Sequence, residues 1–143
     1  MRRGVTLLEL LLALAITGIL AALALPGISA LHDRLQVEAA ARALVGAHHR
    51  ARFVAVAEQR VTVLDLTAAR LTLRAVEAPG DTTPRWEADG PAALQVQAAG
   101  LPRTVSFAPS GVALGVSNAT YTLRRGNAVR QVIVSRYGRV RVQ

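Results

Sequence analysis

The chain has 143 residues, 52% of them hydrophobic, with a formal net charge of +8 and a pI near 11.6. All 17 basic residues are arginine and no cysteine occurs. This excludes a disulfide framework and thiolate metal sites, and leaves the fold to its core and its sheets. The length suits one domain plus an appendage.

The chain opens with Met1-Arg2-Arg3-Gly4 and then an apolar run from Val5 to Leu25, followed by Pro26. At helical rise this run reaches about 30 Å, one hydrocarbon core. One carboxylate, Glu9, sits inside it. A charge at membrane depth is costly unless it finds a partner. A secretory signal peptide is the competing reading, with Ala22, Ala24 and Gly27 as small residues near a cleavage site. The length of the run, the four-residue leader and Glu9 favour an anchor over a removed signal.

Beyond Pro26 a helical pattern resumes. Ile28, Leu31, Leu35, Ala39, Leu44, Val45, His48 and Ala51 recur at spacings of three and four, with Asp33, Arg34, Glu38, Arg42 and Arg50 between them. The spacing predicts an amphipathic helix to about Ala57, with a kink at Pro26-Gly27. The period then becomes two. Segments 61–67 and 70–76 read as strands. Residues 77–91, rich in Pro, Gly and Asp, read as loop. Segments 94–98 and 104–107 read as short strands, and Pro109-Ser110-Gly111 as a turn. Segments 120–124 and 128–135 form a hairpin around Arg125-Gly126-Asn127. Arg139-Val140-Arg141-Val142 closes the chain as a short strand or extended tail. The expected fold is α+β: a long N-terminal helix, membrane-spanning in its first half and amphipathic in its second, packed on antiparallel β-sheet.

Gly4, then Val5-Thr6-Leu7-Leu8-Glu9 and the apolar run to Pro26, resembles the class III signal of type IV pilins and pseudopilins. The resemblance implies a leader of residues 1–4. A prepilin peptidase would cut it after Gly4 and methylate Val5, where the family usually has phenylalanine. It further implies a transmembrane and assembly helix over 5–26 and a periplasmic domain over 27–143. On this reading the chain is a single-pass protein of the inner membrane, in contact with its lipid, that moves into a pilus or pseudopilus. Glu9 would pair there with the amino terminus of a neighbouring major or minor pilin subunit.

Phe107-Ala-Pro-Ser-Gly111, Val132-Ile-Val-Ser135 and Gly138-Arg139-Val140-Arg141-Val142 are similar to the C-terminal half of FimT/GspH-type minor pilins. Some FimT-type members bind DNA during natural transformation through a C-terminal Gly-Arg-x-Arg motif, which Gly138, Arg139 and Arg141 match. The alternative which the same resemblance carries is an H-type pseudopilin of type II secretion, or a minor pilin that only primes or caps a filament.

Charge segregation bears on that choice. No acidic residue follows Asp89, while Arg103, Arg124, Arg125, Arg130, Arg136, Arg139 and Arg141 do. Arginine without compensating carboxylate is the footprint of a polyanion site, and the two-residue period sends Arg139 and Arg141 to one face. Arg124, Arg125 and Arg136 are further candidates for non-specific contact with double-stranded DNA. The competing reading is a solvated face, or arginine stems covering apolar surface. His48-His49 are adjacent on a helix and point about 100° apart, so they make no metal pair. Ser106, Ser110 and the histidines form no nucleophile arrangement. The expectation is a chain with no catalytic residues, no metal and no cofactor.

Overall fold

The computed structural model describes residues 6–76, 83–115, 118–135 and 138–143, with the side chains of 23–26 outside that set. One helix, α1 (Leu7–Ala57), opens the fold. Thr6 starts it: the Glu9 N–H donates to Thr6 Oγ1 at 3.3 Å and to the Thr6 carbonyl at 3.1 Å. The Thr-x-x-Glu spacing is that of a capping box, and an acid in the first turn suits the positive end of the helix dipole. Thr17 Oγ1 donates back to the Ala13 carbonyl at 2.8 Å, so this hydroxyl needs no partner from outside its own helix. The backbone remains helical through Pro26 and Gly27. The helix stops where Gln59 turns left-handed, at φ 51°, and its amide donates to the Val56 carbonyl at 2.7 Å.

The chain divides into two compact units, Met1–His32 and Asp33–Gln143. The first is a helical segment whose described leucine and isoleucine side chains are exposed. It is long and apolar enough to cross a membrane.

The second unit is the α+β domain. Two antiparallel sheets follow α1. The first joins β3 (Pro84–Asp89), β2 (Arg70–Ala75), β1 (Thr62–Leu66), β5 (Arg103–Phe107) and β6 (Ala113–Leu114), in that order. The second joins β4 (Gln97–Ala99), β7 (Ala119–Arg125), β8 (Ala128–Val134) and β9 (Val140–Val142). Alternation buries Leu64 and Leu66 of β1, Leu71 and Leu73 of β2, Tyr121 and Leu123 of β7, and Val132 and Val134 of β8. The helix answers with Val37, Ala40, Ala41, Leu44, Ala47, His48, Ala51 and Ala55, all buried. These positions follow the three- and four-residue spacing of one helix face. They join one core with Phe107 and Tyr121. Thr62 Oγ1 donates to the Ala51 carbonyl at 3.0 Å, tying β1 to the helix.

Two local expectations are corrected, and one short strand went unpredicted. Residues 84–89 are not loop but the edge strand β3. Its Pro84 sits at the first position, where a missing N–H costs no ladder bond. Pro91–Leu94 is a single turn of 3-10 helix, so the next strand starts at Gln97 rather than Leu94. The two-residue β6 was too short to show any period.

Buried His48 shapes the pH response of this core. Its Nδ1 donates to the Leu44 carbonyl at 2.8 Å, and its ring lies 5.8 Å from that of Tyr121. Neither His48 Nε2 nor the Tyr121 hydroxyl has a hydrogen-bond partner among the described residues. Burial pushes the imidazole below its ordinary 6.5; the Leu44 bond opposes this and His49 adds to it. Burial likewise pushes the Tyr121 phenol up to about 12, against the pull of Arg103. Because the unfolded chain takes up the His48 proton at higher pH than the folded one, stability is full above about pH 6.5 and falls below it. The thermal midpoint should therefore drop between about pH 7 and pH 5, and less steeply in His48→Gln. Equal slopes in the two proteins would remove His48 as the cause.

Candidate functional site

The second sheet presents its polar face outward. Register places Arg141 opposite Ile133, and Ile133 opposite Thr120. Ser135 N–H donates to the Arg139 carbonyl at 2.8 Å, so this pair lies one row further on. Arg139 and Arg141 are both exposed on one face, while Val140 between them packs against the core. With Ile133 and Ser135 the two arginines line an open hollow of about 510 Å³. Among the described residues neither guanidinium is held by a carboxylate.

Two residues set this geometry. Gly138 takes φ +75°, a conformation that side chains rarely adopt, and a Cβ there would press on Phe107 Cε1 at 3.3 Å. Ser135 was missed by sequence reasoning. Its carbonyl accepts from Gly138 N–H at 2.9 Å and its Oγ from Arg139 N–H at 3.1 Å, so it fixes where the arginine strand begins. A serine at a strand end, three residues before a glycine, was the available signal.

The hairpin arginines part company. Arg124 is exposed, with only a 3.5 Å contact from its Nε to the Gly126 carbonyl. Arg125 faces inward and is occupied. Its Nε donates to Asp33 Oδ1 at 2.9 Å, and its other two nitrogens to the Leu94 carbonyl and to Gln95 Oε1. It ties α1, the 3-10 turn and the hairpin together, and a Cβ on Gly126 would run into the Asp33 carboxylate. Arg130 also turns to the helix, 3.6 Å from Glu38. Gly4, Val5 and Arg136 lie outside the described residues. Glu9 is exposed in the first turn of α1, far in sequence from the arginine face. His48 is buried and His49 exposed, on different sides of α1.

An apolar helix long enough to cross a membrane, with one early acid, continues in sequence into an α+β domain, the architecture of a pilin-like subunit. Residues 1–25 match the family described as Prokaryotic N-terminal methylation motif, and residues 40–138 match Type II transport protein GspH. The chain belongs to the type IV pilin-like family, in its GspH group. It is 30% identical to the Pilin-like protein PilA1 of Thermus thermophilus, over 99% of each chain. Its fold is similar to the type IV minor pilin FimU of Pseudomonas aeruginosa in two crystal forms. One has a TM-score of 0.64 at 20% identity, covering 77% of this chain and 90% of that one. The other has a TM-score of 0.60 at 19% identity, covering 74% and 91%. Membership in this pilin-like family supports a non-enzymatic role.

The Arg125 arrangement predicts a stability effect rather than a binding effect. Arg125→Ala should destabilise the protein by about 2 kcal/mol, since a charge-assisted bond is lost and Asp33 is left half-buried without its partner. Asp33→Ala should cost a similar amount, and the double variant much less than the sum. Additive losses in denaturant melts would show that the two side chains act independently.

Proposed function

We propose that this chain is a minor pilin or H-type pseudopilin with a structural task at the priming or capping end of a filament. A prepilin peptidase removes residues 1–4 and methylates Val5. Residues 5–26 hold the chain in the inner membrane with the domain in the periplasm. The freed subunit then leaves the lipid to join neighbouring pilins. The observation that carries this reading is the meeting of two signals on one helix. The methylation-motif match covers its apolar start, and the GspH match covers its core-forming end.

Glu9 is the residue on which assembly turns. In a low-dielectric medium a lone charged carboxylate is costly, and the free amino terminus of an adjacent subunit relieves that cost. The local Thr6 cap keeps Glu9 in the first turn, where such a partner can reach it. Glu9→Ala should leave membrane insertion intact and abolish recovery of the protein in sheared filaments. Normal recovery would end the assembly role of this residue.

A second reading is favoured by one specific observation: Arg139 and Arg141 share an exposed face that holds no acid. Guanidinium forks suit phosphate oxygens. Double-stranded DNA, bound without sequence preference and less tightly as salt rises, is the partner of matching chemistry. In gel shifts with the full chain in non-ionic detergent, Arg139→Ala with Arg141→Ala should lower affinity at least about tenfold. Unchanged affinity in the folded double variant would remove the pair from any such site.

A further inference from the structure

The two sheets carry opposite electrostatic designs on their outward faces. On the first, each arginine row meets an acid: Arg70 pairs with Glu87 at 3.0 Å, and Arg74 pairs with Asp65, which also accepts from Thr104 Oγ1 at 2.6 Å. On the second, cross-strand register aligns Gln143, Gln131 and Thr122 in one row, and Arg124 with Gln97 in the next. No aspartate or glutamate lies on any of its four strands. Of the arginines in this sheet, Arg125 and Arg130 point to the helix and its acids, and Arg124, Arg139 and Arg141 point away from them.

We infer that the outward face of the second sheet is one continuous phosphodiester track. It runs diagonally from Arg139, just before β9, and Arg141 on it, over Gln131 and Thr122, to Arg124 at the opposite corner. This rests on the DNA reading of the C-terminal arginine pair, and extends it from a two-residue motif to a surface. Two strand spacings across and four residues along place Arg124 roughly 16 Å from Arg141. Measured along the duplex axis, that distance covers about five base-pair steps at about 3.4 Å each. Point charges at both ends fix the backbone. Between them, the Gln131 amide and the Thr122 hydroxyl donate to phosphate oxygens without adding charge, as such side chains commonly do at nucleic-acid backbones. The sheet supplies this placement without loop rearrangement, because adjacent strands hold every member of the track at ladder spacing.

The test measures binding of a random-sequence duplex of about 20 base pairs to the full chain in non-ionic detergent, across a salt series. Arg124→Ala should weaken binding and lower the slope of log affinity against log salt by about 0.9, one phosphate contact. Arg124→Lys should keep the slope. Gln131→Ala with Thr122→Ala should weaken binding about threefold at unchanged slope. Arg130→Ala, which changes the other face, should leave both quantities as they were. Circular dichroism melts of each variant separate lost binding from lost folding. If Arg139→Ala with Arg141→Ala destroys binding while the Arg124 and Gln131/Thr122 variants bind as the wild type does, the track is wrong and the DNA reading survives. If the wild type does not bind the duplex, both fall. An Arg130→Ala loss equal to that of Arg124→Ala would show diffuse charge rather than a track.

Discussion

Everything in the domain depends on burying one face of α1 against the two sheets. That face is built from alanines at positions 40, 41, 47, 51 and 55, with Val37, Leu44 and His48 among them. Small residues let the large partners, Phe107 and Tyr121 above all, fill the space between the layers without competing for it. A fully buried leucine such as Leu44 contributes about 2 kcal/mol by leaving water, and the helix cannot make that gain alone. The polar exceptions are placed so that they hold the layers in register: Thr62 bonds the helix backbone, and His48 bonds its own preceding turn beside Tyr121. Without this face the sheets would have no common floor and the outward arginine strand would have no fixed base.

Charge is partitioned around that core. The described acids sit on α1, at its end, and on the first sheet, and five of them, Asp33, Glu38, Glu58, Asp65 and Glu87, lie against arginines. Asp33 holds Arg125, Glu38 lies near both Arg42 and Arg130, and Glu58 lies 3.7 Å from Arg85. Exposed pairs of this kind add little stability singly. Their consequence is selective: they remove some arginines from the pool of available cations and leave others. Arg50 is engaged differently, with its guanidinium 5.4 Å from the centre of the Trp86 ring. Among the described residues, three arginines held by no carboxylate, Arg124, Arg139 and Arg141, share the outward face of the second sheet, and this is a product of folding and not of composition.

Some of the fold could be read directly from the residues. The three- and four-residue spacing predicted a helix ending at about Ala57, where it does end. The Arg125-Gly126-Asn127 hairpin joins β7 and β8, and the extended tail pairs as β9. The helix and the hairpin carry strong local signals, because burial recurs at every third to fourth residue in α1 and at alternate residues such as Tyr121 and Leu123, or Val132 and Val134, in the strands. The strand β3 does not. It is an edge strand with a mostly exposed pattern, and the prolines and aspartates around it spoke louder than Trp86, its one core-directed aromatic. Likewise Arg124 and Arg125 are neighbours in sequence and chemically identical. Only strand alternation sends one to solvent and the other to Asp33, 92 residues away.

The sequence by itself determined the apolar anchor segment, the lone early carboxylate, the order of the main elements and the lack of acid after Asp89. All of these are properties of composition and short-range period. Tertiary structure alone decided which arginines are free. That depends on which acids from the first two thirds of the chain fold back against them, and on which side of a strand each residue falls. Both are long-range facts, set when helix and sheets share one core. No local pattern encodes them.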